Sequence, residues 1–150
     1  MMRRVAAFLL ALLVTYVLAA TAATQSVLAR LGEMGIVVTF DHRMGAIVHD
    51  LFGMLSSFLP LLGVGLLIAF LFTARVDRWV PGWRTPLYVL AGAAAVITVH
   101  VSLKIAFDIT PVAAARSAGG LLIQALAGAV GGYVFAMSGR PASRPTENHV

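Results

Sequence analysis

The sequence predicts an all-α integral membrane protein, an antiparallel bundle of four transmembrane helices. Two observations carry that prediction. Of the 150 residues, 60% are hydrophobic and only 11% charged, against roughly 45–50% and about 25% in an ordinary soluble domain. A water-soluble chain of this length needs polar residues to cover its surface, whereas a chain whose surface faces hydrocarbon does not. The apolar residues are also gathered into four runs, each long enough for the roughly 20 helical residues that cross a hydrocarbon core about 30 Å thick.

The first helix is expected over about 5–23, after Arg3 and Arg4. The opening MMRRVAAFLLALLVTYVLAATAATQS also has the build of a secretory signal, with a basic start, an apolar middle and a small-residue site at Ala20-Thr21-Ala22. Its apolar run is long for a signal, so a retained helix is the expectation; cleavage would leave three spans in the same orientation. Residues 24–41 are expected to form a periplasmic loop. Within it, Val27, Leu28, Leu31 and Met34 share one face of a short surface helix ended by Gly35, and IVVTF is extended.

The second helix is expected over about 42–73, capped by Asp41 and kinked at Pro60, which lacks an N–H for the helix ladder. The third and fourth, over about 86–108 and 111–137, both start at a Thr-Pro pair, Thr85-Pro86 and Thr110-Pro111. The hydroxyl can cap the helix, and proline at the first position loses no bond. Residues 1–137 would form the bundle. The polar, proline-containing SGRPASRPTENHV of 138–150 reads as a disordered cytoplasmic tail.

Orientation follows from the basic residues. Arg3, Arg4, Arg75, Arg78, Arg84, Arg140 and Arg144 fall on one side, and Arg30, Arg43, Lys104 and Arg116 on the other. The richer side is expected to be cytoplasmic, which puts both termini inside an inner-membrane protein of bacterial type. Trp79 and Trp83, flanking VPG, fit headgroup-level anchors on that side. The formal charge of +5 is scattered beside apolar runs, which suits membrane orientation and not nucleic acid. The absence of cysteine excludes disulfides, thiolate metal sites and a cysteine nucleophile.

In lipid, helices associate where small residues let backbones approach. Gly53 and Ser57 on the second helix, and Gly120, Gly128 and Gly132 on the fourth, are the packing candidates, the last two forming a GxxxG. Alanines at 7, 11, 19 and 23 and Thr15 form a similar row on the first helix, and Gly92 begins one on the third.

The stretch HVSLKIAFD, 100–108, carries His, Lys and Asp at four-residue intervals inside an apolar run. At about 1.5 Å per residue, His100 lies roughly 21 Å along the third helix from Pro86, deep in the outer half, while Lys104 and Asp108 approach water. His49 and Asp50 on the second helix are expected at the level of Lys104, with Asp50 pairing to Lys104 or Arg43. Arg116 and Gln124 come from the fourth. These seven form a candidate polar site facing outward. Such residues are costly in a membrane and are candidates for function, but snorkelling, charge pairing and interhelical hydrogen bonds account for them as well.

Three functional classes are compatible with this pattern. One is an accessory or assembly protein that binds other membrane proteins, or itself through the glycine-rich fourth helix. Another is a small transporter or proton- or cation-conducting element using His100, His49 and Asp50. The third is a metal or b-type haem protein with His49 and His100 as ligands. No GxSxG, HExxH, Walker or dinucleotide-binding motif occurs, which points away from an enzyme and a bound cofactor. The accessory class is the primary expectation, with the bilayer itself as the obligatory partner.

Overall fold

A computed structural model describes residues 2–80, 82–107 and 118–139. They form α1 (Met2–Glu33), α2 (Phe40–Gly53), α3 (Phe58–Val76), α4 (Arg84–Phe107) and α5 (Ala118–Ser138). All regular structure among them is helical, and α1, α3, α4 and α5 are each long and apolar enough to cross a membrane. The chain is a multi-pass membrane protein with four candidate spans.

Their directions alternate. Arg4 at the start of α1, Asp77 after the end of α3, Tyr88 near the start of α4 and Phe135 near the end of α5 all line one cleft. α4 pairs most extensively with α5, α5 with α1, and α3 with α4, whereas α1 meets α3 sparingly and α2 rests on α1.

Three boundaries differ from those expected. Residues 24–33 are not a loop: α1 continues unbroken to Glu33, because residues 24–31 contain neither proline nor glycine and Gly32 falls only in the last turn. It ends at Gly35, whose φ of 81° is a left-handed conformation that glycine adopts without steric cost. The expected helix over 42–73 is two helices separated by a turn at 54–57. Instead of kinking a long helix, Pro60 stands third in α3, where first-turn N–H groups have no intrahelical partner and its missing donor costs nothing. Asp41 is not the cap of α2 either. Thr39 is, its hydroxyl accepting from the backbone N–H of His42. The expected helix start at Thr110-Pro111 and the tail from 140 onward lie outside the described residues.

Close backbone approach defines the α4/α5 pair. A Cβ on Gly92 would overlap the carbonyl oxygen of Gly128, one on Gly128 would overlap that of Gly92, and one on Gly132 would overlap that of Tyr88. On the other side of α5, a Cβ on Gly131 would collide with the Thr15 hydroxyl of α1. The small-residue row of α1 is buried there, with Ala7, Ala11, Thr15, Ala19 and Ala23 all covered. Thr15 hides its own polarity by donating to the Ala11 carbonyl at 2.8 Å.

α3 is buried along one stripe, Phe58, Leu62, Leu66 and Phe70, at the four-residue spacing of a single helix face. Its other faces expose Val64, Ile68, Leu71 and Phe72, as a lipid-facing helix does.

Candidate functional site

The polar residues in the half of the bundle that contains α2 form two groups. The inner of these is the pair His100 and Gln124, 3% and 0% exposed. α4 and α5 cross closely enough, through their glycines, to bring both side chains into the core. The Gln124 carboxamide donates through Nε2 to the Ala19 carbonyl of α1 at 2.9 Å, so this one side chain ties α5 to α1. Its Oε1 has no completed hydrogen bond, and neither does Nδ1 or Nε2 of His100. The carboxamide is still close enough to act on the imidazole.

Neutral imidazole has one N–H and one acceptor nitrogen. With a single N–H to give, the ring can satisfy at most Gln124 Oε1, so at least one ring nitrogen has no protein partner. A buried polar atom in that condition costs about 1–3 kcal/mol. Phe58 of α3 stacks on the imidazole, with centroids 5.7 Å apart and planes at 24°. It covers the ring from the α3 side.

The second group joins α2 to α1. The Thr24 hydroxyl lies 2.7 Å from Asp50 Oδ2 and 3.1 Å from the Ala20 carbonyl. It has one hydrogen to give, and the shorter bond to a carboxylate is the stronger. Arg43 donates to Gln25 Oε1, and Tyr16 donates to the Leu51 carbonyl. Asp50 therefore pairs with neither Lys104 nor Arg43, because the extension of α1 puts neutral acceptors and donors beside α2 first. Among the described residues the one ion pair is Arg84 to Asp77, at the opposite end of the bundle.

The seven expected site residues are only partly united. His100 and Gln124 meet; Asp50 is half-buried in the other group; His49 and Lys104 are exposed. Asp108 and Arg116 lie outside the described residues. No three His, Asp or Glu side chains among those described are grouped closely enough to hold a metal ion. The two imidazoles considered as haem ligands occupy unlike places, His49 on the open surface of α2 and His100 buried against Phe58.

Of the packing candidates, Gly120, Gly128 and Gly132 are buried, whereas Gly53 and Ser57 are exposed at the α2–α3 turn, with open space around Gly53. Thr24, Gln25, Tyr16 and Phe58 were not expected in the site. Extending α1 past Ala23 in the sequence would have brought Thr24 and Gln25 forward, since they follow the apolar run directly.

At the other end lies a cleft of about 560 Å³ between α1 and α3. Its apolar wall is Phe8, Leu67, Phe70 and Leu71, and its rim carries Arg4, Arg78, Arg84 and Asp77. Phe70 stacks on Phe135, centroids 4.6 Å apart, and meets Tyr88 edge-on at 5.5 Å, which closes the bundle interior beside the cleft.

No protein-family profile matches this chain, and neither a curated protein nor a solved structure is significantly similar to it.

Proposed function

We propose that this is a non-enzymatic accessory protein of a bacterial-type inner membrane, with both termini cytoplasmic and a polar, outward-facing α1/α2 surface that engages another membrane protein. The observation carrying this reading is the contrast along the bundle axis. Polar side chains gather on α1, α2, α4 and α5 in one half, while in the other the charged side chains stay at the end, around Arg84 and Asp77, and aromatic packing of Phe8, Phe70, Tyr88 and Phe135 fills the interior. A conducting path would need polar groups through both halves.

α2 supports the interaction role. None of its 14 residues is buried, and side-chain bonds to α1 hold it in place, so it offers both apolar Phe40, Met44, Val48 and Phe52 and polar His42 and His49 to a neighbouring helix. Gly120, Gly128, Gly131 and Gly132 of α5 are buried within the chain and do not form such a surface.

A crosslinker placed at Val48 should yield an adduct of one defined mass in native membranes, and one at lipid-facing Ile68 should not; equal adducts from both would refute the assignment. Orientation is checked by thiol labelling, since the chain has no native cysteine. An impermeant maleimide added outside should label Thr39→Cys and spare Trp79→Cys.

The unpartnered His100 nitrogen favours one competing reading, a proton-linked site. In liposomes with an entrapped pH dye and an imposed potassium potential, the accessory role predicts acidification no faster than in protein-free vesicles. Proton entry that His100→Leu abolishes would establish the conducting role instead.

A further inference from the structure

The cleft between α1 and α3 has no part in the outward-facing surface, and its chemistry is different. Its volume of about 560 Å³ is in the range of ligand pockets, roughly 300–1,000 Å³. The walls are aliphatic and aromatic, and its lipid side is open, with Val5 55% and Leu71 62% exposed. The cleft exists because α1 commits its alanine row to α5, and α3 packs chiefly on α4, so the seam between α1 and α3 is filled poorly at this end.

The rim is cationic. Arg4 comes from α1, Arg78 from the turn after α3 and Arg84 from the start of α4, with Asp77 as the single carboxylate among the lining residues. Arg84 is built in place. Its Nη1 donates to Asp77 Oδ2 at 3.1 Å, its guanidinium carbon lies 5.0 Å from the centroid of the Tyr88 ring, and its Nε is buried without a partner. One of the three arginines is thus neutralised, and two positive charges remain uncompensated over an apolar slot.

We infer that this cleft binds an anionic glycerophospholipid from the adjoining leaflet, its phosphate held at Arg4, Arg78 and Arg84 and one acyl chain lying along Phe8, Leu67, Phe70 and Leu71. A zwitterionic lipid brings a cation to the same rim and gains less from it. Arginine suits the phosphate because its planar fork donates bidentately, and basic pockets between transmembrane helices recognise anionic headgroups on this basis. Soluble phosphate would find the charges but leave the apolar slot unfilled.

Trp79 and Trp83 are the two tryptophans of the chain, and both stand in the α3–α4 connection beside the rim. The full-length protein is reconstituted in phosphatidylcholine vesicles containing phosphatidylglycerol, with bromine on the acyl chains of one lipid or the other. Brominated phosphatidylglycerol should quench tryptophan emission well beyond its share of the lipid, and brominated phosphatidylcholine should not. Each arginine near an anionic surface is worth roughly a fivefold preference, so Arg4→Gln with Arg78→Gln, which leaves the Arg84 to Asp77 tie intact, should remove most of the selectivity. Arg3→Gln with Arg75→Gln changes the same net charge at the same end but outside the cleft, and should leave the selectivity in place. Equal quenching by the two lipids overturns the proposal, as does an equal loss in both double variants, which would reduce the effect to diffuse surface charge.

Discussion

The half of the bundle containing the Gly92/Gly128 crossing and the aromatic cluster is held by shape, whereas the half containing α2 is held by hydrogen bonds. In the first, backbones touch where any Cβ would collide, and Phe70 contacts Phe8, Tyr88 and Phe135 at once. In the second, Thr24 to Asp50, Arg43 to Gln25 and Tyr16 to Leu51 fix a helix that buries none of its own residues. Leucine gains little in moving from acyl chains to a protein interior, so a membrane helix is secured either by close backbone contact or by polar bonds. This chain uses the two means in separate places, which leaves the polar half easier to open without unfolding the rest.

Three substitutions test that division, in descending order of effect. Gly128→Leu forces a side chain into the carbonyl of Gly92 and should cost about 3 kcal/mol or more, seen as a large drop in resistance to SDS unfolding. Gln124→Leu removes the bond to the Ala19 carbonyl and leaves His100 without its nearest polar neighbour. The expected loss is about 1–2 kcal/mol by the same assay, and a loss as large as that of Gly128→Leu would mean that the buried polar pair, not the glycine contact, dominates. Thr24→Val keeps volume but deletes the hydroxyl that meets Asp50. Its global effect should stay below about 1 kcal/mol, while amide exchange over 40–53 accelerates and that of α4 and α5 does not. Equal acceleration in all helices would show that the two halves open together.

Much of this division was legible in the sequence. The four spans follow from apolar run length, and the buried positions of Gly128, Gly132 and the alanine row follow from the spacing of small residues. His100 and Gln124 were legible as deep polar residues because α4 and α5 are regular enough to count depth along them. What the sequence concealed came from helix ends and from neighbours. Periodicity does not distinguish one helix with a kink at Pro60 from two helices with proline in the first turn of the second. Without the continuation of α1 to Glu33, Asp50 had no visible partner except a cation. The cleft is not legible in the sequence because Arg4, Arg78 and Arg84 each read singly as orientation signals, and their convergence on Phe8 and Phe70 depends on which helices leave a gap between them.

The unbroken course of α1 through Glu33 makes the residue count of that segment a geometric constant. Each residue advances an α-helix by about 100° and 1.5 Å. A single insertion between Ser26 and Arg30 would swing the Gly35 exit by that angle, away from the side on which Tyr16, Thr24 and Gln25 receive α2. Only the six residues 34–39 link the two helices outside regular structure, so they alone would have to take up the change, and the segment should tolerate substitutions better than single-residue insertions or deletions.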